Sequence, residues 1–297
     1  MCRFALYLGD TITVSSLVTE PVHSIIRQSF QSKEQERPLN GDGFGIAWYI
    51  PEISDSPAVF KDITPAWNDM NLLSLARVTR SPCILAHVRA ATQGFPVVQL
   101  NCHPFVCGPY AFMHNGRVEG FQQFRRELLA GLSERAFQLI SGSTDTEHAF
   151  ALFMDHIWEH ENIEMESVQR MSIALESTIQ KLEAFRLKAG EEKSSFLNLA
   201  VTDGQSAVVT RFVSPGVQLP NSLYYSAGSH FHCRDGQCHI DSSRPTRAII
   251  IASEPLSEEN CWISIHPNHL ITVDSHLKTE MSQIEIKDSD SNNRRFG

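Results

Sequence analysis

The 297-residue chain is 42% hydrophobic and 20% charged, which suits a folded globular protein with enough chain for a sizeable core. Its formal net charge of −9, with basic residues scattered except for Arg294-Arg295, argues against nucleic acid or an acidic membrane surface as the main partner. No stretch is long enough to span a bilayer, and Phe4-Ala5-Leu6-Tyr7-Leu8, closed off by Gly9-Asp10, is too short for the apolar core of a signal peptide. A cytoplasmic location is therefore expected. The seven cysteines, odd in number and scattered, point to reduced thiols rather than a disulfide framework.

In chain order, residues 3–8 read as a buried strand. One or two short helices follow around Leu17-Val18 and Val22-His23-Ser24-Ile25-Ile26, then a charged loop, Lys33 to Pro38. The glycine-rich Asn40-Gly41-Asp42-Gly43-Phe44-Gly45 feeds a strand over 46–50, and 58–63 reads as another. Residues 68–79 look helical from Leu72, Leu73, Leu75 and Val78, and 83–89 form a strand ending in His87-Val88-Arg89. A Gly-, Pro- and Asn-bearing loop spans 92–104, and the strand 110–113 is expected to end at Asn115-Gly116.

An amphipathic helix covers 121–132. Ser143-Thr144-Asp145-Thr146-Glu147 has the residues of a helix start, with the helix running to about Glu159. Val168, Met171, Leu175, Ile179, Leu182 and Phe185 recur at steps of three and four, so a second helix with one apolar face ends near Gly190. Beyond it the chain turns to strands: 196–201 and 207–212 around Asp203-Gly204, then 223–227, 231–240, 247–252, 263–265 and 270–273. Strands in two groups with a pair of helices between them imply an α+β protein with two helix-covered sheets, not βαβ units. Residues 2–286 are expected to form one domain, followed by a polar tail, 287–297.

The chemistry is expected at Met1-Cys2-Arg3-Phe4. Removal of Met1, expected before a small side chain, would give Cys2 a thiol and a free α-amine, a nucleophile beside its own base. Taken alone, Cys2 reads more readily as a small strand residue than as a nucleophile. Four further stretches lie at strand ends or helix starts: Asn40 to Gly45, His87-Val88-Arg89-Ala90-Ala91-Thr92, His114-Asn115-Gly116, and Thr144-Asp145-Thr146-Glu147.

In order and spacing these five stretches resemble the class-II glutamine amidotransferases, N-terminal-nucleophile hydrolases that split the γ-amide of glutamine. The resemblance extends through Asn101-Cys102-His103-Pro104-Phe105 to Ala252-Ser253-Glu254-Pro255-Leu256, covering residues 2 to about 275. It is closest to the stand-alone members that lack a synthase domain. Among these, Met1 to Phe4, Pro38 to Gly45, Ile63 to Asn68 and Ala86 to Ala90 look most like the amidotransferase-type subunit of the fungal glutathione-degradation complex. A related branch hydrolyses a γ-glutamyl intermediate of ergothioneine synthesis.

The resemblance implies the four-layer αββα sandwich of the N-terminal-nucleophile hydrolases, with two mostly antiparallel sheets face to face. It implies Cys2 as nucleophile, with the Asn115 side-chain amide and the Gly116 backbone N–H as oxyanion hole. Arg89, helped by the Thr92 hydroxyl, would hold the α-carboxylate of a γ-glutamyl group, and Asp145 its α-ammonium; a bidentate guanidinium and a carboxylate suit those charges. His87, His103 and His114 are expected as polar supports of the pocket, since the terminal amine fills the role of base, and Arg3 and Asn40–Gly45 are expected to line it. Glu254 fits the pattern without a role of its own. No cofactor is implied.

The expected activity is hydrolysis of a γ-glutamyl amide (glutathione, another γ-glutamyl compound or glutamine) through a thioester on Cys2, releasing glutamate. Two other readings stay open. One is a glutaminase subunit supplying ammonia to a separate synthase; the other is a non-catalytic scaffold subunit. A metallopeptidase-like subunit or a synthase is the kind of protein partner implied.

One stretch stands apart. A two-residue Asp235-Gly236 loop would pair Cys233 with Cys238 and His232 with His239, placing the cysteines on one face and the histidines on the other. Four such residues cannot converge on one tetrahedral metal without breaking the hairpin, whereas the cysteines could form a cross-strand disulfide under oxidation.

Overall fold

The computed structural model describes residues 2–34, 39–92, 94–216, 218–234, 237–241 and 245–286, excluding the side chains of 230, 232–234, 237 and 238. Among the described residues the order is β1 (Arg3–Thr13), α1 (Val14–Val18), α2 (Ile25–Gln31), β2 (Phe44–Ile50), β3 (Ser54–Asp62), α3 (Met70–Val78) and β4 (Arg80–Val88). Then come β5 (Phe105–Cys107), β6 (Tyr110–Arg117), α4 (Phe121–Gly131), α5 (Glu134–Phe137), α6 (Asp145–Glu159) and α7 (Ser167–Lys188). The remainder is β7 (Phe196–Thr202), β8 (Ala207–Arg211), β9 (Tyr224–Gly228), β10 (His230–Arg234), β11 (Gln237–Asp241), β12 (Ala248–Ala252), β13 (Ile263–Ser264), β14 (His269–Val273) and β15 (Thr279–Gln283).

Two antiparallel sheets carry the molecule, ordered β13-β9-β12-β1-β4-β2-β3 and β15-β14-β8-β7-β6-β5. The buried side chains separate into three slabs. Phe4, Leu6 and Leu8 of β1 and Ile249 and Ile251 of β12 meet Ala111, Met113, Ala200 and Val209 of the second sheet. Ala5, Tyr7, Ile250 and Ala252 turn the other way, onto Val14, Leu17, Ile25, Leu72 and Ala76 of α1–α3. The outer face of the second sheet, with Phe112, Leu199 and Val208, packs on α4, α6 and α7. Three slabs between four layers are the αββα sandwich expected. The central strands bury both faces, which is why β1 and β12 read as continuous apolar runs instead of alternating ones.

The face of α7 follows its pattern, with Met171, Leu175, Ile179 and Leu182 all buried. Thr144 caps α6, its side chain accepting the Glu147 N–H. Some boundaries differ. β1 runs to Thr13, and α5 and β15 are elements that the hydrophobic periodicity does not signal. More consequentially, β6 does not stop at Asn115-Gly116: it continues to Arg117, paired with β7 through Asn115↔Asn198 and Gly116↔Leu197. A Cβ on Gly116 would lie 1.8 Å from the Phe196 carbonyl oxygen, so this glycine serves a close strand approach and not a turn.

The β10–β11 register pairs Cys233 with Cys238, His232 with His239 and Arg234 with Gln237, as a two-residue connection requires. Asp235-Gly236 and the cysteine side chains, and with them the metal and disulfide readings, lie outside the described residues, as does the tail 287–297. Among the described residues no helix is long and apolar enough to cross a membrane.

Candidate active site

The alternation of β1 sets the site. Phe4 and Leu6 face the space between the sheets, so Cys2 shares that side and Arg3 the opposite one. The register Arg3↔Val88 brings Cys2 to the chain just beyond β4. There the Ala90 N–H donates to Cys2 Sγ at 3.4 Å, and the thiol donates to the Ala90 carbonyl at 3.6 Å. Burial pushes the thiol pKa up; the Ala90 contact and Arg89 oppose it, and Asp145 adds to it. A protonated resting thiol that needs a base is the consequence.

Arg89 is buried, with its backbone N–H on the Gly43 carbonyl at 2.8 Å. Its guanidinium makes only long contacts, to the carbonyls of Asp42 (3.5 Å) and Pro96 (3.4 Å), and among the described residues no carboxylate lies within 4.0 Å of it. The glycine-rich stretch 40–45 braces this segment. Asp42 accepts the Ala91 N–H at 2.8 Å, and Gly43, at φ +109°, has Cys102 Sγ 2.7 Å from where a Cβ would sit. Asn101, fully buried, ties the loop above Arg89 to the start of α6 through Pro96 and Ser143.

Asp145 is buried at the N-terminus of α6, where the helix dipole favours a carboxylate. Its oxygens accept from the backbone N–H groups of Val118 (2.8 Å) and Thr146 (2.9 Å), and among the described residues no cationic side chain lies within 4.0 Å. Thr92 is half-buried; its carbonyl accepts the Phe95 N–H at 3.1 Å, closing a turn.

Asn115 is fully buried on the side of β6 that faces the first sheet. Its Nδ2 donates to Ser253 Oγ at 3.3 Å, and its Oδ1 has no partner among the described residues. The three histidines form a chain behind it. His103 Nδ1 lies 2.9 Å from His87 Nε2, which is 3.2 Å from the His114 carbonyl; His114 bonds the Thr146 hydroxyl and the Phe196 carbonyl, both at 2.9 Å. Burial lowers the pKa of all three, His87 to about 3, so they are neutral spacers at physiological pH.

Arg3 does not line the space around Cys2. It lies on the reverse face, its Nε 2.8 Å from Glu254 Oε1 and its Nη1 donating to the Cys2 carbonyl at 3.1 Å. It supports Cys2 from behind. Glu254, without a role in the sequence reading, is the centre of that face: it also binds His23 (2.8 Å), the Ser32 hydroxyl and the backbone N–H groups of Lys33 (2.9 Å) and Glu34 (3.3 Å). Burial alone would raise its pKa; the bonds from His23 and Ser32 and the charge of Arg3 outweigh it and hold the carboxyl at about 2. Sequence reasoning also missed Ser253, Thr146 and the Ala90 N–H. The parity of β12 could have placed Ser253 on the Cys2 face, but a backbone donor has no side-chain signature.

The family described as glutamine amidotransferases class-II matches residues 14–294, nearly the whole chain. The protein belongs to this family. Over 92% of its length it is 38% identical to the probable glutamine amidotransferase DUG3 of Saccharomyces cerevisiae, covering 82% of that protein. It is 26% identical over 93% of its length to the γ-glutamyl-hercynylcysteine sulfoxide hydrolase of Mycolicibacterium smegmatis, covering 98% of it. Among solved structures, a glutamine aminotransferase class-II domain protein from Silicibacter pomeroyi superposes with a TM-score of 0.66 at 25% identity, over 96% of this chain and all of that one. The glutamine phosphoribosylpyrophosphate amidotransferase of B. subtilis shares the fold alone, with a TM-score of 0.60 at 12% identity over 97% of this chain and 50% of its own.

Proposed function

We propose that the protein hydrolyses a γ-glutamyl amide through a thioester on Cys2. The observation that carries this reading is a pair of complementary vacant charges beside the thiol: a buried guanidinium without a carboxylate partner, Arg89, and a buried carboxylate without a cationic one, Asp145, among the described residues. Leaving buried charges unpaired is costly unless a ligand pairs them. The α-carboxylate and α-ammonium of a γ-glutamyl group supply the two opposite charges on one carbon. The yeast relative's designation as an amidotransferase and the mycobacterial relative's as a γ-glutamyl hydrolase support the same chemistry.

In the proposed reaction Met1 has been removed. The Cys2 thiol attacks the γ-carbonyl carbon while its proton passes to the α-amine, whose ordinary pKa of about 8 suits a base near neutrality. The oxyanion is held by the Asn115 amide and the Gly116 N–H. The C–N bond then breaks, and the leaving nitrogen takes the proton as a free amine. Water attacks the thioester with the same amine as base, and glutamate leaves as the thiol is restored. Arg89 and Asp145, with the Thr92 hydroxyl, hold the glutamyl end still throughout.

The substrate class is γ-glutamyl compounds, including glutathione and glutamine. A panel of these, scored by glutamate release, tests the reading: Cys2→Ala must abolish turnover, and full activity in that variant would refute it. Ammonia release from glutamine alone, stimulated by an added synthase, would instead make the protein a glutaminase subunit.

A further inference from the structure

At the junction of β1 and β12 one rung of the ladder is unusual. The Ser253 N–H donates to the Phe4 carbonyl at 3.0 Å, as an antiparallel pair requires. The return bond does not reach the Ser253 carbonyl. The Phe4 N–H donates instead to the Ser253 hydroxyl oxygen at 3.1 Å, and the freed carbonyl accepts the Ser222 hydroxyl at 2.8 Å. The side chain has replaced the backbone in the rung two residues from Cys2.

The same oxygen accepts from Asn115 Nδ2 at 3.3 Å. It therefore joins the two sheets at full burial, linking the strand that carries the thiol to the side chain that faces the developing oxyanion. The Asn115 backbone is held too, its main-chain carbonyl accepting from Asn221 Nδ2 at 3.4 Å. Its Oδ1 has no partner, so among the described residues the Ser253 hydroxyl is the hydrogen-bond partner that sets the amide plane. The unpartnered oxygen gives the amide a second setting: turned over, Oδ1 accepts the Ser253 proton and both Nδ2 hydrogens face the reaction space. In either setting Ser253 Oγ is the fixed point.

We propose that Ser253 is a positioning residue for amide cleavage, setting the distance and angle between the Cys2 thiol and the Asn115 amide through one shared hydroxyl oxygen. This rests on the function proposed above, with Cys2 as nucleophile and Asn115 as oxyanion donor. Such a link stabilises the tetrahedral species more than the bound substrate, because only the tetrahedral species carries charge at Asn115. A catalytic donor displaced by about 1 Å can cost on the order of a hundredfold in rate.

The test compares Ser253→Ala and Ser253→Thr with the parent and Cys2→Ala, using γ-glutamyl-p-nitroanilide as substrate probe. Glutamate γ-semialdehyde, which adds the Cys2 thiol to form a tetrahedral hemithioacetal, probes the oxyanion site. Alkylation by neutral iodoacetamide probes the thiol alone. In Ser253→Ala, kcat is expected to fall about ten- to a hundredfold with KM within about twofold, and the aldehyde to bind weaker by a similar factor. Alkylation stays at the parent rate, and Ser253→Thr, which keeps the hydroxyl, recovers most of the loss. Unchanged kcat and aldehyde affinity in Ser253→Ala, with Cys2→Ala dead, would overturn the inference and leave the function standing. A parallel fall in alkylation, or no recovery with Thr, would also overturn it, by making Ser253 merely structural. Full turnover by Cys2→Ala would instead bring down the function on which the inference rests.

Discussion

The two faces of the first sheet at Cys2 and Arg3 treat charge in opposite ways. Behind the sheet, Glu254 collects Arg3, His23, Ser32 and two backbone N–H groups. On the thiol's side, among the described residues, Arg89 and Asp145 are buried without charged partners, and Asn115 Oδ1 and His87 Nδ1 have no hydrogen bond. On one face the Glu254 carboxylate is fully paired; on the other, charged groups of opposite sign are held apart. Successive residues of one strand reach both, so a rigid hub on one side can fix a reactive group on the other. Buried charges without a counter-charge are costly in a folded protein, and among the described residues Arg89 and Asp145 are such a pair close enough to act on the Cys2 thiol.

The comparison makes graded predictions. The largest concerns the closed face. Glu254→Gln leaves the Arg3 guanidinium buried without its counter-charge, and a loss of about 3–5 kcal/mol in denaturant unfolding is expected. A change below about 1 kcal/mol would mean that the hub is no more than surface decoration. On the open face, Arg89→Ala should leave folding intact while kcat/KM falls by about a hundredfold or more, mainly through KM, because in the proposed reaction Arg89 pairs with a substrate charge. Asp145→Asn should act in the same direction. If either variant unfolds the protein while turnover per folded molecule is kept, the two faces do not differ as described.

The next effect is on pH. His87 has its pKa lowered to about 3 by burial, against an ordinary value near about 6.5. Between those values the unfolded chain takes up a proton that the folded ring refuses. Stability is therefore full above about pH 6.5 and falls as the pH drops towards 3, by up to about 1.4 kcal/mol per pH unit for such a ring. His103 and His114, also lowered by burial, add in the same sense. Glu254, depressed to about 2 from 4.5, contributes stability that is present above pH 4.5 and lost as the pH falls towards 2. Stability from chemical denaturation should descend continuously from pH 6.5 to 3, and more steeply below 4.5 in the parent but not in Glu254→Gln. The smallest effect is on rate: acylation should rise with pH up to about 8 as the Cys2 amine loses its proton, then level off.

Much of this arrangement is legible in the sequence because it is local. The Thr144 cap, the apolar stripe of α7 and the continuous apolar runs of β1 and β12 each follow from side chains a few positions apart. Asn115-Gly116 shows where local reading fails. As a dipeptide it signals a turn, and only the pairing with Asn198, far along the chain, keeps it in a strand. Glu254 failed for the same reason: its donors lie 220 to 251 positions away. The parity of β12 shows the face of Ser253 but not its pairing with Phe4, and the Ala90 N–H has no side-chain signature at all.

The central claim is that the working nucleophile is Cys2 with a free amine. It is tested most directly by intact-mass spectrometry of the purified enzyme, before and after rapid acid quenching with a γ-glutamyl substrate. The account predicts a chain that begins at Cys2 and, after quenching, carries one γ-glutamyl group that maps to that residue and is released by hydroxylamine. An active enzyme that retains Met1, or an adduct that maps elsewhere, would contradict it.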